Sequence, residues 1–215
     1  MIFLLKQKLK CIKISFIVII RINDKKKGGE ILKATGVVRR IDDLGRIVIP
    51  KEIRKTLRIR EGDPLEIFTD KEGEIILKKY SPIGELSEFA TQYAETLAKT
   101  TGHIACITDK DTIIAVAGAP KKEYLEKSIS NEIERLIEDR VTWTAKTKEE
   151  KHLPVLLTDN DTAKYTSQVI WPIIAEGDSI GTVMLLSTQP NIKMNDVEVK
   201  VVQSAAGFLG RQMEE

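Results

Sequence analysis

The chain is poor in the residues that build disulfide frameworks and metal centres. Among 215 residues there are two cysteines, Cys11 and Cys106, and two histidines. Two distant thiols make no disulfide scaffold, so a reducing compartment is expected. Two histidines offer no ligand spacing that reads as a zinc site, and no metal or cofactor is expected. Aromatic residues make up 5% of the chain. Long apolar runs are missing as well. "ISFIVII", residues 14–20, falls far short of the roughly 20 residues of a membrane-spanning helix. The "RINDKKKGG" that follows it has no small-residue cleavage site of a secretory signal, and no membrane association is expected.

What the chain does have is charge, unevenly placed. Its net +2 conceals a basic first part and an acidic second part. Residues 1–80 hold 20 Lys and Arg against 11 Asp and Glu, a balance of +9, while residues 81–215 hold 14 against 21, or −7. That asymmetry predicts two modules with different partners, the basic one directed at nucleic acid. Residues 1–32 look foreign to both. They are rich in Lys and Ile, contain no alanine, and read as translated AT-rich DNA ending in a purine-rich ribosome-binding stretch. The expected organisation is an extension over 1–32 with a mis-assigned start, a basic domain over 33–80, a linker over 81–86 and a second domain over 87–215.

In the basic domain "ATGVVRRI" reads as a strand, "DDLG" as a turn and "RIVIP" as a second strand. Three consecutive apolar residues, Ile47, Val48 and Ile49, predict burial on both faces. Pro50 suits the first turn of the helix "KEIRKTL". On that helix Lys51, Arg54 and Lys55 share one face, and Ile53 and Leu57 share the opposite one. A hairpin follows, with strands over 64–69 and 74–79 and the turn "DKEG". Residues 33–60 carry 9 basic and 3 acidic groups, so Arg39, Arg40, Arg46, Lys51, Arg54 and Lys55 are the candidate DNA contacts. Ordinary surface arginines on a small β-module would look much the same. A domain this small, with so few aromatics, has too thin a core to stand alone, which predicts a dimer.

The stretch "KATGVVRRIDDLGRIVIPKEIRKTLRIREGDPLEIF" closely resembles the AbrB-type transition-state regulator domain. The resemblance implies a swapped-hairpin dimer whose strands interleave into a barrel-like unit that binds double-stranded DNA. It carries the family's DNA-contacting arginines onto Arg39, Arg46 and Arg54, with basic positions at Arg40 and Lys55.

The acidic domain reads α-β-β-α-β-β-β-α. Its first helix carries Leu86, Phe89, Tyr93 and Leu97, with Ala90 and Ala94 beside them. "HIACITD" and "DTIIAVAG" are strands. "APKKEYLEKSISNEIERLIEDR" is a helix with Leu125, Ile129, Ile133, Leu136 and Ile137 inward. "HLPVLLTD" and the two halves of "SQVIWPIIAEGDSIGTVMLLST" are the remaining strands, with "EGDS" as a turn. Trp171 is read as core. The last helix is capped by Asn195 or Asp196, and its "SAAG", Ser204 to Gly207, permits close approach by another helix. The layout resembles a GAF domain. The whole is therefore expected to be a mostly β swapped-hairpin head followed by an α+β GAF-like domain. That combination resembles a family of sporulation transcription regulators, which implies a cytoplasmic, nucleoid-associated protein of the forespore, both activator and repressor. The head is implied to dimerise, and the GAF-like domain to complete a tetramer.

GAF domains commonly take small molecules, but no phosphate-cradling glycine loop or convergent polar cluster is visible, and the ligand stays open. His103, Cys106 and Asp109 invite a catalytic reading. On a strand, however, odd offsets face opposite sides, so His103 and Cys106 make no thiol–imidazole pair and no enzyme is expected. The competing class is an antitoxin that uses the same head fold with a disordered, toxin-wrapping tail. A second domain with regular helical stripes disfavours it.

Overall fold

The computed structural model describes residues 18–19, 38–69, 71, 74–159 and 164–214. The expected extension, apart from residues 18–19, the start of "ATGVVRRI" and most of the "DKEG" turn lie outside the described residues. The chain divides into two compact units, residues 1–80 and 81–215.

The first unit holds a three-stranded sheet in the order β1-β3-β2. Strands β2 (Leu65–Thr69) and β3 (Ile75–Lys79) form the expected antiparallel hairpin, with Ile67 opposite Leu77. The two-residue β1 (Val18–Ile19) pairs in parallel with Ile75 and Ile76. Helix α1 (Lys51–Thr56) precedes the hairpin. The described parts of the two strands expected before α1, residues 38–41 and 46–50, form no ladder with any described residue. Val48, expected to be buried, is 71% exposed, and Val38 and Leu44 are exposed with it. A strand needs a neighbour for its N–H and C=O groups, and none of the described residues offers them one.

In the second unit a five-stranded antiparallel sheet runs β5-β4-β8-β7-β6. It is built from β4 (Ile104–Thr108), β5 (Ile113–Ala117), β6 (Trp143–Ala145), β7 (Ser167–Ala175) and β8 (Asp178–Ser187). Alternation along the strands feeds two cores. Ala105, Ile107, Val183 and Leu185 face α3 (Ser87–Thr101) and α6 (Asp196–Gln212) through Ala90, Ala94, Val202 and Leu209. Cys106, Met184 and Leu186 face the other way, onto Ile133 and Ile137 of α5 (Asn131–Asp139) and onto Tyr165. Trp171 is half-buried against the first core. A short α2 (Pro82–Glu85) leads into α3. The β7–β8 hairpin turns at Glu176–Gly177, inside the expected "EGDS". No helix among the described residues is long and apolar enough to cross a membrane.

Two details differ from expectation. The single helix over 119–140 is two, α4 (Lys121–Tyr124) and α5, because residues 126–129 bond instead to 111–113. Glu126 donates to Ile113 at 2.9 Å, Ile129 donates to Asp111 at 2.9 Å, and the Ser130 hydroxyl accepts from Ile133 N to start α5 afresh. "HLPVLLTD" is no strand beyond a single bridge from Leu156 to Ile129. Pro154 has no N–H to give a ladder. Leu153 pairs with the Gln168 amide at 2.9 and 2.7 Å, and Asp159 takes the N–H groups of Val155 and Leu156. The fifth strand is β6. On α6 a further tight approach, to β7, is made at Gly210, which the sequence reading did not single out. Ala205 and Ala206 are buried and Gly207 is open, whereas a Cβ on Gly210 would fall on the Ile174 carbonyl oxygen of β7.

Candidate nucleic-acid interface

Helix α1 begins after Pro50, whose φ of −56° suits a helix entrance. Glu52 lies in its first turn and Arg54 and Lys55 in its last, each sign where the helix dipole favours it. The helix ends in a Schellman motif: Arg58 N donates to Lys55 O at 3.2 Å, Ile59 N donates to Arg54 O at 2.8 Å, and Arg58 is left-handed at φ 52°. Lys79 of β3 locks that end. Its Nζ donates to the Arg58 carbonyl at 3.0 Å and lies 3.0 Å from Asp63 Oδ2, which also accepts from Arg60 N at 2.8 Å. Lys79 and Asp63 are both largely buried, and they tie β3 to the turn that follows α1.

Arg39, Arg40, Lys51 and Lys55 are exposed, their side chains with no hydrogen bond or ion pair to any described residue. Arg46 is 70% exposed and bonded to Asp42. Arg54 is half-buried, and its Nε is buried with no hydrogen-bond partner among the described residues. Lys51, Arg54 and Lys55 come together on α1, while Arg39, Arg40 and Arg46 sit on the irregular segment before it.

Sequence reasoning missed Asp42, Asp63 and Lys79. Asp42 was visible only as a turn former, although it stands four residues before Arg46. Its carboxyl is held below the usual carboxylate range by hydrogen bonds from the Arg46 backbone and side chain. Lys79 left no local signal, because its partners Arg58 and Asp63 are distant in the sequence, although Asp63 also accepts from Arg60 N three residues before it.

In the second unit Cys106 is fully buried, and burial pushes its thiol up to about 12, so it is no nucleophile at neutral pH. His103 faces the opposite side, its Nε2 3.9 Å from Glu198 Oε1 of α6. An open pocket of about 510 Å³ is lined by Glu132, Lys148, Lys151, His152, Pro154 and Tyr165, among others. His152 Nε2 is buried and unpartnered among the described residues.

Residues 85–214 match the family model described as stage V sporulation protein T C-terminal, transcription factor. Residues 38–85 match the model of the MazE bacterial antitoxin, for antidote–toxin recognition. The chain is 54% identical over 184 residues to stage V sporulation protein T of Bacillus subtilis, covering 86% of this chain and all of that protein. It is 61% identical over 51 residues to the transition state regulatory protein AbrB of the same organism, covering 24% of this chain and 52% of that protein. Among solved structures, the cyanobacteriochrome receptor PixJ superposes with a TM-score of 0.50 at 11% identity, over 63% of this chain and 99% of its own. The GAF domain of an Acinetobacter phosphoenolpyruvate-protein phosphotransferase gives 0.50 at 11% identity, over 63% and 84%. At such identity these two establish the fold alone. With an AbrB-like head and a GAF-like second domain, the chain belongs to the stage V sporulation protein T family of transcription factors.

Proposed function

We propose that this protein is a sequence-preferring DNA-binding regulator that activates and represses late, forespore genes of sporulation from a cytoplasmic, nucleoid-associated position. The observation that carries this is the concentration of exposed, uncompensated cations over residues 39–55: Arg39, Arg40, Lys51 and Lys55, with Arg46 beside them. Such a stretch attracts phosphates, and arginine also fits guanine O6 and N7 in the major groove. The unpaired Arg54 Nε supports the same reading, since a buried donor needs an acceptor and the described part of this chain supplies none. The exposed Val38, Leu44 and Val48 support a head completed by a second copy, which presents two sets of these cations. In a tetramer formed through the GAF-like domains, two DNA sites are held at high effective concentration. The pocket beside His152 is read as a sensory site for a small molecule. Stabilisation of the full-length protein by one metabolite class in a thermal-shift screen is the expected result.

The match of residues 38–85 to an antitoxin model favours a second reading, a toxin-neutralising autoregulator. That role needs an unfolded tail to wrap a toxin, whereas residues 81–215 fold into a sheet with helices on both faces.

The test is binding by the full chain and its Arg46→Ala variant to a duplex selected from a randomised library. The expected loss is about ten- to hundredfold with relaxed base preference. A uniform loss with a shallower salt dependence would mean a phosphate contact only, and unchanged affinity would reject the role.

A further inference from the structure

Asp42 is an acid in the middle of the most basic stretch of the chain, and it is bonded to the cation beside it. Its Oδ2 accepts from Arg46 Nε at 2.7 Å, and its Oδ1 accepts from the backbone N–H of Leu44 at 3.0 Å and of Arg46 at 2.9 Å. Its own N–H donates to the Arg46 carbonyl at 3.1 Å, and its carbonyl accepts from Gly45 N at 2.9 Å. Gly45 closes this loop at φ 76°, where a side chain would be strained. One carboxylate therefore fixes both the turn and the guanidinium on it.

The consequence lies in which edge of Arg46 is left over. A guanidinium has five N–H groups in a fixed plane. With Nε taken by Asp42, the end-on fork of the two Nη atoms is the pair left for a two-pronged acceptor such as guanine O6 and N7. An exposed ion pair adds little to stability, and a negative charge here weakens the general attraction for phosphates. What the pair does supply is a narrowed set of guanidinium orientations before DNA arrives.

We propose that Asp42 is a specificity-determining positioning residue that aims the Arg46 guanidinium at a base edge, lowering affinity for DNA in general while raising discrimination between sequences. This rests on the reading of Arg46 as a DNA contact.

Asp42→Asn in the full chain is the informative variant. The asparagine Oδ1 still accepts from the N–H groups of Leu44 and Arg46, so the turn persists. Its amide nitrogen then meets the Nε–H donor, and the guanidinium is released. Two affinities are measured, for a random-sequence duplex pool and for a duplex that the unaltered protein selects from a randomised library. The expected result is equal or tighter binding to the pool, with the selected-to-random ratio falling about tenfold. Base preference should broaden at the position that Arg46→Ala also relaxes. An unchanged ratio overturns the proposal, and so does an equal loss on both DNAs, which assigns Asp42 to turn stability. If Asp42→Asn melts early, Asp42→Ser keeps an acceptor for the turn and is held to the same ratio. An Arg46→Ala variant with both affinities unchanged defeats the reading of Arg46 itself. A normal loss in Arg46→Ala beside an unchanged ratio in Asp42→Asn defeats only the role of Asp42.

Discussion

His103 and Arg54 show how single residues here are set by what surrounds them. Burial lowers the His103 imidazole from its ordinary 6.5, and the nearby Glu198 carboxylate offsets this only in part. In the unfolded chain the ring takes up a proton as pH falls through about 6.5, while in the folded chain it does so only at lower pH. The unfolded state binds more protons in that window, so stability falls as pH drops below the unfolded value. The melting temperature should decline from pH 7.5 to 5.5, and His103→Gln should make the decline shallower. An identical slope in the variant would assign the loss to the carboxylates. Arg54 is the reverse case. Its position on a basic helix face was legible from spacing alone, but its half-burial and unpaired Nε were not, because both depend on what packs over α1.

At the scale of elements, local rules account for boundaries and long-range partners for the exceptions. Asn195 caps α6 by accepting from Val197 N at 2.7 Å, and Glu198 closes the capping box on Asn195 N at 2.7 Å, as the sequence at 195–198 allows. The helical stripe over 119–140 failed to make one helix because extended bonding to 111–113 competed successfully for residues 126–129. Gly210 is the contact on which α6 depends. With the Ile174 carbonyl where a Cβ would stand, Gly210→Ala must push α6 away from β7. The expected cost is roughly 1–3 kcal/mol, measured by chemical denaturation. Gly207→Ala, on the open side of the same helix, is the control and should be neutral or slightly stabilising.

At the scale of the whole molecule, apolar residues of the described chain are left uncovered in both units. One group is Val38, Leu44, Val48 and Ile67 in the head. Another is the aromatic group of α3 and α6, where Phe89, Tyr93 and Phe208 have ring centroids 5.6–6.0 Å apart and Phe208 is 42% exposed. The proposed assembly assigns the first to the head dimer and the second to the tetramer. Phe208→Glu should halve the mass seen by light scattering while leaving the affinity of each head for one DNA site unchanged. Val48→Asp should abolish DNA binding. A full-mass Phe208→Glu protein would place the tetramer contact elsewhere.

The amino-acid order alone determined much of this protein. Charge separation divided it near residue 80, the periodicities of 2 and 3.6 placed the hairpin, the main sheet strands and the terminal helices, and the concentration of positive charge over residues 33–60 marked the candidate contacts, among which the resemblance to the AbrB-type domain singled out Arg39, Arg46 and Arg54. These features are local or compositional, so they survive without knowledge of neighbours. Tertiary structure alone decided the rest. It replaced "HLPVLLTD" with β6 as the fifth strand, put Gly210 at the tight approach to β7, and tied Lys79 to the end of α1. Each of these is a contest between backbone or charged groups for partners far away in the chain, and only the folded arrangement determines which partner is within reach.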